Sequence, residues 1–193
     1  MSNLQAAHIP VNTDDHRFLD EWRELLLRAE PEYQLFTPEW YLVWSETRGA
    51  TRRWQGKLTA ITVRDSQNVL RGILPLGHKQ VGPFKVYGSA GDSQPWRPVL
   101  TDIVCAREAG KAIGLGIRRL GMAALQIGPT PSKQVAFEAL VEGLSESGTP
   151  TRMTARRPLA TARIPETWED FRSGVLGSKF ARKIGYYERR FRK

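Results

Sequence analysis

Arg107-Glu-Ala-Gly-Lys-Ala112 is the stretch of this 193-residue chain best suited to hold an anion. It stands where a strand is expected to give way to a helix. Unpaired N–H groups and the helix dipole favour a phosphate there, and small residues at 110 and 112 let backbone come close. Arg107 and Lys111 would add positive charge. A pyrophosphate-bearing cofactor is one reading; the plainer one is that glycine and alanine let this helix lie close on a sheet. Asp92, in the loop from Gly88 to Pro98 with Ser93 and Trp96, could accept a proton, and Tyr87 could serve as a general acid. A local cap in a surface turn accounts for Asp92 as well. Trp40, Tyr41 and Trp44, with Trp96, could wall a cleft for a sugar or a pantetheine arm, while a core stripe is the alternative duty of Trp40 and Trp44.

Cys105 precedes the same helix, where the dipole favours a thiolate, but no histidine is adjacent in sequence to activate it. It reads as a small buried residue. A single cysteine excludes an internal disulfide and a CxxC site, and His8, His16 and His78 lack metal-ligand spacing, so no metal is expected.

The elements that must position these residues follow from periodicity and caps. Residues 4–11 suit a short strand. Asn12 or Thr13 then caps a helix with Asp14 and Asp15 in its first turn and a buried stripe of Phe18, Trp22, Leu25, Leu26 and Ala29, ended by Pro31. Thr37 and Pro38 start a second, short helix with Trp40, Val43 and Trp44 on one side, left at Gly49. "GKLTAITVRD", "SQN" and "VLRGILPLGHKQ" read as a hairpin, with Pro75 implying an edge or a bulge. "PFKVYGS", "PVLTDIVC" and "AALQIG" are further strands, separated by a helix from Ala106 to Leu120 and followed by a helix that opens at Pro131 and ends at Gly148. Residues 151–164 are extended, and Pro165 lies in the first turn of another short helix. The early hairpin implies antiparallel pairing and the later strand–helix–strand crossovers imply parallel pairing. The result is a mixed α/β sheet covered by helices.

With 40% hydrophobic and 25% charged residues the chain is globular. Its net charge of +9 is concentrated at one end: "GSKFARKIGYYERRFRK" carries seven bases and one acid, leaving +3 for residues 1–176. That distribution weakens the case for a whole-protein nucleic-acid binder. In the tail, Phe180, Ile184, Tyr187 and Phe191 recur at helical spacing, opposite a basic face that includes Lys179, Arg182 and Lys183. Such a stripe asks for a partner surface: another domain, a membrane surface, or a nucleic acid. There is no signal-peptide pattern and no run long enough to span a bilayer, so a cytoplasmic location is the default expectation.

The order of elements resembles the GNAT acyltransferase fold. "FTPEWYLVW" followed by "GILPLG", then "DSQPWRPVL", then "WEDFRSGVLGSKFARKIGYYERRFRK" is similar to the amino-terminal half of the cellulose-biosynthesis-type (CelD/BcsL-like) acetyltransferases and their basic connector. The build is also similar to the Fem-type aminoacyl transferases, with two GNAT-like domains side by side. The resemblance covers most of residues 33–193. It implies a GNAT-like, mostly antiparallel sheet in residues 1–164, a basic helical connector in 165–193, and a second GNAT-like domain that these residues lack. It further implies transfer from acetyl-CoA or another acyl-CoA to an amine or hydroxyl on a polysaccharide or envelope precursor. Arg107, Gly110, Lys111 and Ala112 would be the cofactor-loop residues. Trp40, Tyr41, Trp96 and the bases Lys179, Arg182 and Lys183 would face an anionic glycan or other substrate. A different class of function is a non-catalytic scaffold that uses the basic helix to bind an anionic partner.

Overall fold

The computed structural model describes residues 4–49, 58–91, 97–119, 124–131, 133–154, 167–170, 173–174, 179 and 182–186. Expectations for Asp92, Ser93, Trp96, Phe180, Tyr187, Phe191 and the extended segment 155–164 lie outside these residues. The chain divides into two compact units, Met1–Thr151 and Arg152–Lys193.

The first unit is an α/β layer structure. In chain order it comprises β1 (Gln5–Pro10), α1 (His16–Arg28), α2 (Pro38–Trp44), β2 (Thr59–Arg64), β3 (Leu70–Val81), β4 (Phe84–Ser89), β5 (Leu100–Thr101), α3 (Ala106–Arg119), β6 (Ala124–Gln126) and α4 (Val135–Glu146). The sheet runs β1-β2-β3-β4-β6, with β5 paired to β3. All pairs are antiparallel except β4 with β6. Side chains alternate along β2, so Ala60 faces one layer and Ile61 and Val63 the other. Ala60, Leu70 and Ile73 meet Phe18, Trp22, Leu25 and Tyr41 from α1 and α2. Ile61, Val63, Leu74 and Leu76 meet Ala109, Ile113 and Leu140 from α3 and α4. A register shift beside Val63 and Arg64 lets Leu70 and Ile73 share a face despite their odd separation.

Several local expectations are corrected. Asp15, expected inside the first turn of α1, is its N-cap and accepts from the Phe18 N–H. Val43 is on the outside of α2; Pro38, Tyr41 and Trp44 form its buried side. The strand expected in "PVLTDIVC" stops after Thr101, because Asp102 turns the chain into a 3-10 turn, Ile103–Cys105, that leads into α3. Pro75 lies in the central strand and not at an edge. On its β4–β5 side, β5 pairing covers Gly72 and Ile73 and β4 pairing begins at Leu76. Its carbonyl accepts from the Ala90 N–H there, and the missing donor falls where the neighbouring strand changes.

In the second unit Thr167 caps a helical turn, Trp168–Asp170, by accepting from the Asp170 N–H. Residues 182–186 are helical.

Candidate functional site

Curling of the sheet gathers three rings over its α3 face. His78 on β3 stands directly opposite Tyr87 on β4. His8, three strands away on β1, approaches the same phenol: the His8–Tyr87 ring centroids are 5.3 Å apart and nearly perpendicular, and the His78–Tyr87 centroids are 5.8 Å apart. A flat sheet would hold β1 and β4 too far apart for this contact; right-handed twist and coiling close the gap. No sequence spacing brings residues 8, 78 and 87 together. The usable signal was alternation, which puts Ala6 and His8 on the same face as Ile61 and Leu74.

The His8 Nε2 is buried without a hydrogen-bond partner. Burial, followed by the positive fields of His78 and Lys85, holds its pKa below the ordinary value of 6.5. The imidazole is therefore neutral at pH 7, with a lone pair able to take a proton. Because the unfolded chain binds that proton at higher pH than the folded one, acidification through and below pH 6.5 should erode stability. Urea titrations from pH 7 to 5 should show this loss, with a shallower slope in His8→Gln.

The stretch 107–112 lies wholly inside α3. Arg107 Nη2 reaches both oxygens of Glu142 on α4, at 2.7 and 2.8 Å, and Lys111 Nζ is 2.7 Å from Glu146. A Cβ on Gly110 would overlap the carbonyl oxygen of Ala136, so its open side is filled by the backbone of α4. Ala112 is half-buried against the same core. Gly110 and Gly114 thus serve a helix–helix seam with α4, while Gly116 comes close to Ala6 of β1, so close approach to the sheet, the plainer sequence reading, holds at that glycine alone.

An anion of the protein's own also stands at the start of this segment. Asp102 is buried, and its Oδ1 accepts from the Val104 N–H at 3.1 Å. Its Oδ2 accepts from Arg71 Nη1 at 2.7 Å and from Arg28 Nε at 3.0 Å. Burial alone would raise the carboxyl pKa, but the Val104 N–H and the two guanidinium groups outweigh it and hold it below the ordinary value. Arg71 extends the network to Asp65 at 2.9 Å. Asp65 caps the β2–β3 turn through the N–H groups of Gln67 and Val69. With α4 over Gly110, both cations paired and a carboxylate already seated before α3, residues 107–112 do not fit a coenzyme A pyrophosphate. Burial and the Asp102 charge also push the Cys105 thiol up, which keeps it protonated.

The remaining candidates are dispersed. Tyr41 is a core residue whose ring lies 5.3 Å from Trp22, and burial drives its phenol pKa upward. Trp40 is half-buried and covers Gly91, where a Cβ would come within 2.6 Å of its ring and φ is +84°. Lys179, Arg182 and Lys183 are exposed in the second unit. Beyond Ser89, the ends of β4 and β6 are tied by the chain itself. Arg97 Nε donates to the Gly91 carbonyl and its Nη1 to the Gly128 carbonyl, while the Gly128 N–H donates to Ser89 Oγ. Gln134 closes the same region, bonding both the N–H and the carbonyl of Val99 through its side chain. A groove of 410 Å³ lies on the opposite face, between α1 and β1, with Phe18, Ile9 and Thr62 in its lining and Arg17 and Arg64 both paired to Glu21. Among the described residues no group of three His, Cys, Asp or Glu could hold a metal ion, and no helix is long and apolar enough to cross a membrane. No protein-family model, curated protein or solved structure matches the chain.

Proposed function

We propose that the first unit is a GNAT-like domain that works on the acceptor side of an acyl transfer, as the amino-terminal half of an acetyltransferase of the cellulose-biosynthesis type. The observation that carries this reading is the sheet order β1-β2-β3-β4-β6, with two helices between β1 and β2 and parallel pairing confined to β4 and β6. The donor would be an acyl-CoA and the acceptor an amine or hydroxyl on a polysaccharide or envelope precursor. Since residues 107–112 do not fit the pyrophosphate, the thioester is assigned to a site outside them, in a companion domain. Within this domain His8 and Tyr87 are the pair proposed to hold or move a proton, and their packed rings fix their mutual orientation.

Thiol release from acetyl-CoA, measured on the full-length protein across a panel of amines and sugar hydroxyls, tests the reading. Tyr87→Phe should lower turnover by about 100-fold. Arg107→Ala and Lys111→Ala should leave it essentially unchanged, because their charges are engaged with Glu142 and Glu146. Saturable heat with coenzyme A that disappears in Lys111→Ala would overturn the assignment of the thioester elsewhere. The same ion pairs favour a second reading, a non-catalytic scaffold that holds an anionic glycan on exposed Lys179, Arg182 and Lys183. Glycan retention without thiol release under any acceptor would select it.

A further inference from the structure

The β3–β4 hairpin runs out past the rest of the sheet. β2 pairs with β3 only as far as Leu76, and β6 pairs with β4 only over Val86–Gly88. From Gln80 to Lys85 the two strands therefore have no third strand beside them among the described residues. A free two-stranded ribbon is marginal in water. This one turns through Gly82, at φ +57°, and Pro83, the pattern of a two-residue II′ turn. Nothing lies within 4 Å of the position a Cβ would take on Gly82, so the tip stands in open space.

Its side chains are sorted by face. Val81 and Phe84 are cross-strand partners on one side, 49% and 60% exposed; Gln80 and Lys85 are partners on the other. No acidic residue occurs between Gly72 and Ser89. Exposing a phenylalanine at the end of a solvated arm wastes its burial energy unless something covers it. A protein–protein interface engages about 800 Å² on each partner, far more than a six-residue tip offers. A lipid surface makes no such demand: each inserted apolar side chain and each basic residue beside anionic headgroups adds its own increment to reversible attachment.

We infer that the 80–85 ribbon is a docking arm for an anionic membrane surface, inserting Phe84 and Val81 at the headgroup boundary while Lys85 engages the lipid phosphates. The inference is independent of the acyl-transfer reading. The whole chain is mixed with vesicles of equal parts phosphatidylglycerol and phosphatidylcholine, and with phosphatidylcholine alone, and sedimented. Binding is expected to the anionic vesicles only. Phe84→Ser, which leaves net charge untouched and so separates this arm from the basic tail, should weaken it about tenfold. Lys85→Glu should weaken it about fivefold or more. An environment-sensitive fluorophore on Pro83→Cys in a Cys105→Ser background should shift to the blue on binding. Phe84→Ser binding as tightly as the natural chain, or a fluorophore that reports water with vesicles bound, overturns the inference. Circular dichroism confirms that each variant is folded, as expected for changes at an exposed tip.

Discussion

Asp102→Ala should cost about 3 kcal/mol, the toll of breaking a buried ion pair reduced for guanidinium groups that still reach water. The Arg28 and Arg71 side chains are 35% and 29% exposed, against 2% for the carboxylate they share. Alanine would take from both cations the carboxylate they share, leaving Arg71 to Asp65 and Arg28 to the Leu70 carbonyl, and would remove the cap from Val104. Asp102→Asn keeps an acceptor for that N–H and gives up only the charge, so its loss should be smaller. Urea midpoints of the three proteins test the ordering, and equal losses for Asn and Ala would reduce the guanidinium pairs to bystanders. The acid dependence has a defined direction. With the folded pKa held below the unfolded value of 3.8, the contribution is complete above that value and fades as pH falls through the lower, folded one.

Gly114→Ala should also be damaging, at about 2 kcal/mol. Alanine ordinarily favours a helix interior over glycine by about 1 kcal/mol. Here the added methyl would overlap the carbonyl oxygen of Leu140 and sit 2.9 Å from the Leu144 nitrogen and 3.0 Å from the Gly143 Cα. Those are backbone atoms of α4 that cannot rotate aside, so overpacking of about 3 kcal/mol outweighs the propensity gain. Glu108→Ala, on the exposed side of the same helix, should stay within about 0.5 kcal/mol. A Gly114→Ala protein as stable as the parent would mean that α3 and α4 can separate at little cost.

What could be read from residue order was whatever local physics dictates. The stripe of α1 and the β2–β3 hairpin appear where periodicity and turn residues put them. The parallel pair β4–β6 follows from a helix lying between two strands. The failures share another cause, side chains whose partners are remote in sequence. Asp102 looks like a lone acid in an apolar strand until Arg28 and Arg71 arrive, 74 and 31 residues away. Gln134 leaves α4 without a side-chain cap because its amide is spent on Val99. The glycines of 107–116 advertise close approach but do not say to what, and a phosphate cradle and a helix seam ask for the same residues. His8 and Tyr87 meet through the coiling of the sheet, a property of no single segment.

Strand β3 changes partners at Pro75, and the two halves of that strand live under different conditions. Upstream, Leu70 to Leu74 is roofed and floored by helices and braced on both edges. Downstream, among the described residues, the exposed backbone of Gln80 and Val81 pairs with β4 alone. One continuous stretch of chain therefore spans two opening energies: its beginning is released only when the whole molecule comes apart, while its end can fray and re-form on its own. Proline at the border lets the free end flicker without unzipping the anchored one.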